Sequence, residues 1–93
     1  GIETYYWPTN NDEQNLAQFL QEEVINETGL ANRGAKEGNY YVLRENKNPA
    51  ILVELGFLSN PTEERLVRTA SYQNKAITGI YRGIERYLLL NSF

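Results

Sequence analysis

The sequence predicts an α/β fold: part of a mostly parallel, twisted sheet flanked by helices. Two observations predict the sheet. GIETYYW (1–7) is rich in β-branched and aromatic residues with no breaker before Pro8, and the run at 49–58, PAILVELGFL, is almost continuously apolar. Such a run marks a strand buried on both faces, as in parallel sheets covered by helices. The third observation is the order of elements. Strand, helix, irregular segment, strand, helix, helix is an α/β pattern.

The elements follow in turn. In the first strand Ile2, Thr4 and Tyr6 share one face, expected to be buried, and Glu3, Tyr5 and Trp7 share the other, expected to be partly exposed. The Tyr-Tyr-Trp cluster fits cross-strand packing, with an aromatic platform for a sugar or peptide as the alternative. PTNNDEQ (8–14) is a loop leading into a helix, with Asn or Asp at 10–12 able to cap it and Asp12 and Glu13 suited to its positive end. Leu16, Phe19, Leu20 and Val24 then form the stripe of an amphipathic helix over 13–28, which Gly29 can end in a left-handed conformation. Residues 30–46 have weak periodicity and read as an irregular crossing segment with a short element at YYVLR.

After the second strand, Asn60 can cap a helix, Pro61 fits its first position and Glu63 completes a capping box. This helix is expected to reach Thr69. A last helix over 71–90 carries Tyr72, Ala76, Ile77, Ile80, Ile84, Tyr87 and Leu88 as its apolar stripe. A free sheet of two strands is marginal in water, so further strands are expected from another chain or from a larger domain.

Bulk properties exclude several classes of function. The 93 residues make one small domain of ordinary globular composition, 41% apolar and 23% charged. A net charge of −3, a pI near 4.9 and the lack of a basic tract argue against nucleic acid and anionic membranes as partners. No run approaches the roughly 20 apolar residues that span a bilayer, and no charged-then-apolar leader opens the chain. The sequence has no Cys, so disulfides and thiol chemistry are excluded. It has no His, which removes the commonest neutral-pH general base and the commonest zinc ligand. A site built from this chain must use Glu, Asp, Lys, Tyr, Ser or Thr.

Glu54 is the one acid in the apolar run. On the pleat it shares a face with Leu52 and Gly56. Burying an unpaired carboxylate costs several kcal/mol, so it must be paired, protonated or open to a cleft. Arg44 or Arg33 could pair with it structurally. Alternatively, a carboxylate there suits general acid–base work, with Gly56 leaving room beside it for a substrate.

The run NRGAKEGNYYVLRENKNPAILVELGFLSNPTEE (32–64) resembles the C-terminal half of the zinc-dependent N-acetylmuramoyl-L-alanine amidases of the type-3 family. GIETYYW resembles the strand after that family's second zinc histidine, and YQNKAITGIYRGIERY resembles its closing helix. The resemblance implies a peptidoglycan hydrolase that cleaves the amide between N-acetylmuramic acid and the L-alanine of the stem peptide. It implies zinc held by two histidines and a glutamate, a location outside the bacterial cell or in its wall (a host's wall for a phage protein), and peptidoglycan as the partner. Glu54 matches the family's proton-carrying glutamate, which takes a proton from the zinc-bound water and passes it to the leaving amine.

All three family zinc ligands lie upstream of the GIETYYW motif. Residues 1–93 are therefore expected to be the C-terminal half of an amidase catalytic domain, incomplete and inactive alone, completed by an N-terminal half or by another copy of the chain. No metal ligand is assigned within it. Arg44 and Asn32 are candidate substrate-binding residues, while Arg33 and Lys36 read as surface groups and Asn60 as a helix cap. A catalytically inactive wall-binding or complementing fragment is the competing expectation. So is a stable intermediate without function, whose exposed sheet edge would favour self-association.

Overall fold

The computed structural model describes residues 1–8, 11–57 and 59–90. Its elements are β1 (Ile2–Tyr6), α1 (Asn11–Thr28), β2 (Asn32–Glu37), α2 (Tyr41–Arg44), β3 (Ile51–Glu54), α3 (Pro61–Val67) and α4 (Ala70–Leu90). The expected caps at 10–12 and the strand position at 58 fall on or beside residues outside the described set. The fold class is α/β, as expected, but the sheet is mixed. The described strands lie in the order β2-β1-β3, with β1 parallel to β2 and antiparallel to β3.

The third strand comes from the segment read as irregular. Its sequence, NRGAKE, is polar and carries a glycine, so it has no alternating apolar signal. The sheet selects it through backbone bonding to β1. The register skips one residue on β2 between Ile2↔Asn32 and Thr4↔Ala35, and Gly34, at φ +88°, lies within that bulge.

The core lies between β1 and α1. Ile2 and Thr4 face α1 and are fully enclosed with Leu20, Gln21 and Val24. Gln21 is the polar tie: its amide donates to Ile2 O at 2.7 Å and to Asn32 Oδ1 at 2.8 Å, and its oxygen accepts from the Thr4 hydroxyl at 2.8 Å. Gly29 ends α1 at φ +69°, as its position predicts, with its N–H on Ile25 O at 2.8 Å.

α4 packs along α1 on a seam of small residues. Tyr72, Ala76, Gly79 and Gly83 are buried there, with Gly79 against Val24 and Gly83 against Leu20. The two glycines let the helix backbones touch, and Arg86 ties the pair to Glu22 at 2.8 Å and Glu23 at 3.0 Å. The expected apolar stripe is only partly used. Tyr72 and Ala76 are buried, but Ile77 is 63%, Ile84 42% and Leu88 60% exposed.

β3 also departs from expectation. It is shorter than 49–58, and its four residues are half-exposed rather than buried on both faces. The cause is its place at the border of the sheet, with β1 on one side only. Asn60 caps α3 as expected, its Oδ1 accepting from Thr62 N at 3.0 Å and Glu63 N at 3.2 Å. Glu63 does not close a capping box. Its carboxylate turns away to accept from Phe57 N at 3.0 Å and from the Gly1 amine.

Candidate functional site

Glu54 is the last residue of β3, directly across the antiparallel pair from Glu3. Opposite residues project to the same side. Ile2 and Thr4 occupy the α1 side, so Glu3 and Glu54 lie together on the other. Two carboxylates in that relation repel unless cations intervene.

The cations are there, and they serve Glu3. Its side chain is 4% exposed and accepts from Lys36 Nζ at 2.5 Å and from the Tyr5 hydroxyl, with Arg33 Nε at 3.7 Å. Pairing Tyr5 with Lys36 in the parallel register brings Lys36 to this face. Lys36 is therefore an ion-pair partner rather than a free surface group, and Glu3 is buried on a face expected to be partly exposed. The sequence held one signal for this: Glu3 alternates onto the face of Tyr5, in a strand whose other face is wholly buried.

Glu54 has no hydrogen bond or ion pair among the described residues and is half-exposed. The structural pairing open in the sequence is not made. Arg44 binds Glu45 at 3.0 Å and the Asn39 side chain. Arg33 stacks over Phe57, 4.2 Å from the ring centroid. Arg44 and Glu54 are also not brought together. α2 follows Gly38, whose N–H bonds Tyr6 O, at the opposite end of β1 from Glu3. Asn32 is not on the Glu54 side either. Its Oδ1 is taken by Gln21 at 2.8 Å and by Gly34 N at 2.9 Å, a structural use.

The backbone just beyond Glu54 is pinned at two points. Tyr72 donates its hydroxyl to Leu55 O, and Glu63 receives Phe57 N–H. Burial, then the Glu63 charge, pushes the Tyr72 hydroxyl up from its ordinary pKa, so it remains a donor. Gly56 does not leave room for a substrate. A Cβ there would lie 2.9 Å from Val67 Cγ1, so α3 fills that space. A cavity of about 450 Å³ opens beside Phe57, lined also by Arg33, Ser59, Asn60 and Glu63.

Residues 1–86 match the family described as N-acetylmuramoyl-L-alanine amidase. The chain belongs to that family. Among its relatives, YrvJ of Bacillus subtilis strain 168, named for the same amidase activity, is 47% identical over 81% of this chain and 14% of its own length. Among solved structures, the N-acetylmuramoyl-L-alanine amidase of Clostridium difficile 630 superposes with a TM-score of 0.92 at 38% identity, over 99% of this chain and 50% of that one. The CwlD amidase of Clostridioides difficile, solved with the GerS lipoprotein, gives a TM-score of 0.91 at 35% identity, over 98% of this chain and 47% of that one. This member of the family thus spans about half the length of the solved relatives, and 14% of YrvJ. No described helix of it is long and apolar enough to cross a membrane.

Proposed function

We propose that this chain is the part of a peptidoglycan amidase that carries the proton-transfer residue. The bond cleaved is the amide between N-acetylmuramic acid and the L-alanine of the stem peptide. Family membership supports the reaction. One observation supports the residue: Glu54, on the strand border beside a fixed Glu3–Lys36 pair, is free of partners among the described residues. In this role its carboxylate accepts a proton as water attacks the amide carbon, then delivers it to the leaving alanine nitrogen. The buried Glu3 ion pair and the pinned Leu55–Phe57 backbone keep it in place. The work would take place outside the cell, at the wall.

Zinc belongs to this function by resemblance, and the residues of this chain do not fit it. Among the described residues no cluster of three or more His, Cys, Asp or Glu could hold a metal ion. Ligands would have to come from other residues of an intact domain, and the transfers assigned to Glu54 are derived without the metal.

The test is Glu54→Gln in a polypeptide carrying the whole family domain. Release of new L-alanine amino groups from purified wall is expected to fall at least 10²-fold, the usual contribution of a positioned acid–base group, with bound zinc unchanged. Near-normal release would sink the assignment. The lack of a metal cluster favours a second reading, a wall-binding fragment without chemistry. Retention of the isolated chain on wall without hydrolysis would support it.

A further inference from the structure

α2 is a single turn that gives one residue to the core. Leu43 is 4% exposed and holds the turn down, while Tyr41 and Val42 stand 71% and 61% exposed. At about 100° per residue, Tyr41 lies on the far side of the turn from Leu43, so its ring does not serve the core. The ring is held all the same. Arg44 lies over it, 5.8 Å from the ring centroid, and is itself tied to Glu45 at 3.0 Å and to the Asn39 side chain.

Tyr41 and Val42 form one wall of a cavity of about 500 Å³, and the loop of Glu45, Asn46, Lys47 and Asn48 forms the other. That volume is ordinary for a small-molecule site. Asn46 sets the loop, its Oδ1 accepting from Asn48 N at 3.0 Å. Glu45 is neutralised by Arg44, whereas Lys47 has no ion pair among the described residues. The cavity therefore carries a net positive charge in a chain of net charge −3.

The Tyr40 ring packs edge-on against Tyr5, with centroids 5.2 Å apart, and Tyr5 projects to the side of Glu3 and Glu54. α2 thus lies on the Glu54 side of the sheet. Glu3 pairs with Glu54 and Tyr6 with Ile51, so about 10 Å of strand separates Glu54 from the α2 end. A ligand that joins the two places must be a polymer.

We propose that this cavity is a saccharide subsite for the glycan strand of peptidoglycan, taking a muramic acid already stripped of its stem peptide. The apolar face of the pyranose stacks on Tyr41. Asn46 and Asn48 serve its hydroxyl and N-acetyl groups, and Lys47 pairs with the lactyl carboxylate. Hydrolysis of the lactyl amide is what creates that carboxylate, so the cavity recognises the reaction's own product further along the strand. Stem peptide fits less well, because no strand lines the cavity for peptide backbone to pair with. The inference rests on the peptidoglycan reading but not on Glu54 moving protons.

The test titrates a polypeptide carrying the whole family domain, observed by NMR, with a peptide-free tetrasaccharide of alternating N-acetylglucosamine and N-acetylmuramic acid. Binding is expected, weakened about tenfold by Tyr41→Ala. Lys47→Glu is expected to weaken it about fivefold, and to leave unchanged the binding of a tetramer of N-acetylglucosamine, which has no carboxylate. Both side chains are exposed, so both variants should melt with the parent. No binding by the parent, or equal binding by parent and Tyr41→Ala, overturns the subsite. So does a Lys47→Glu loss that is the same for both tetrasaccharides, or a free stem peptide that binds through Tyr41 in their place. Release of wall alanine by the same polypeptide reports separately on the peptidoglycan reading: release without saccharide binding sinks the subsite alone.

Discussion

Gly83→Ala sets two effects of similar size against each other. In a free helix, alanine is favoured over glycine by about 1 kcal/mol. At Gly83 the new Cβ would lie 2.6 Å from Leu20 Cα, 2.8 Å from Leu20 Cγ and 2.9 Å from Leu20 N. Two of those atoms are backbone inside α1 and cannot rotate away. Ordinary contact begins near 3.4 Å, so α1 and α4 must part by roughly 1 Å, which also loosens the packing of Leu20 and the neighbouring Gly79 seam. Overpacking of this kind costs about 1–3 kcal/mol, and somewhat more where backbone is the obstacle. After the propensity gain, a net loss of about 1–2 kcal/mol is expected. For a domain of this size that lowers the melting temperature by roughly 5–15 °C. The assay is thermal unfolding followed at the helical circular dichroism band, with Asn74→Ala, on the exposed side of the same helix, as the control. Gly79→Ala should behave alike, since its Cβ would lie 2.6 Å from Val24 Cα. A melting temperature at or above the parent for Gly83→Ala would show that propensity alone operates and that the helices are not in backbone contact.

A further expectation concerns the charged groups. Lys36→Met leaves the buried Glu3 carboxylate with only Tyr5 and a distant Arg33. The Lys36 side chain is about half-exposed, so the cost is set at about 1–2 kcal/mol rather than the larger figure for a sealed pair. Urea unfolding should show it, and Glu3→Met added to Lys36→Met should recover most of the loss; a neutral single variant would count against the pair.

Sequence patterning is most legible where one residue type answers one local need. Asn60, Pro61 and Gly29 were readable because caps and left-handed turns are settled by neighbours in the chain. The α1 stripe and the buried face of β1 were readable because each alternates against a single core. β2 was not, since its polar residues are held by backbone bonds to β1, which leave no pattern in side-chain hydropathy. Gly79 and Gly83 were passed over for the same reason: a glycine's use in close packing shows only when the partner helix is in place. At the site, the sequence singled out Glu54, but not the residues that surround it in the fold. Arg44 and Asn32 bind neighbours of their own, whereas Glu3 meets Glu54 through the β1–β3 pairing and Lys36 reaches Glu3 through the β1–β2 pairing.

The sequence by itself determined the α/β class, the three longer helices to within about two residues at their ends, the family and the lone acid in an apolar strand. These are properties of local periodicity and of ordered motifs, which need no knowledge of distant contacts. Tertiary structure alone decided that β3 runs against β1, that Glu3 faces Glu54 with Lys36 neutralising it, and that the stripe of α4 stands partly open. Strand order, register and the unfilled side of a helix are set by which surfaces meet across long loops, and the chain does not write those meetings into any one segment.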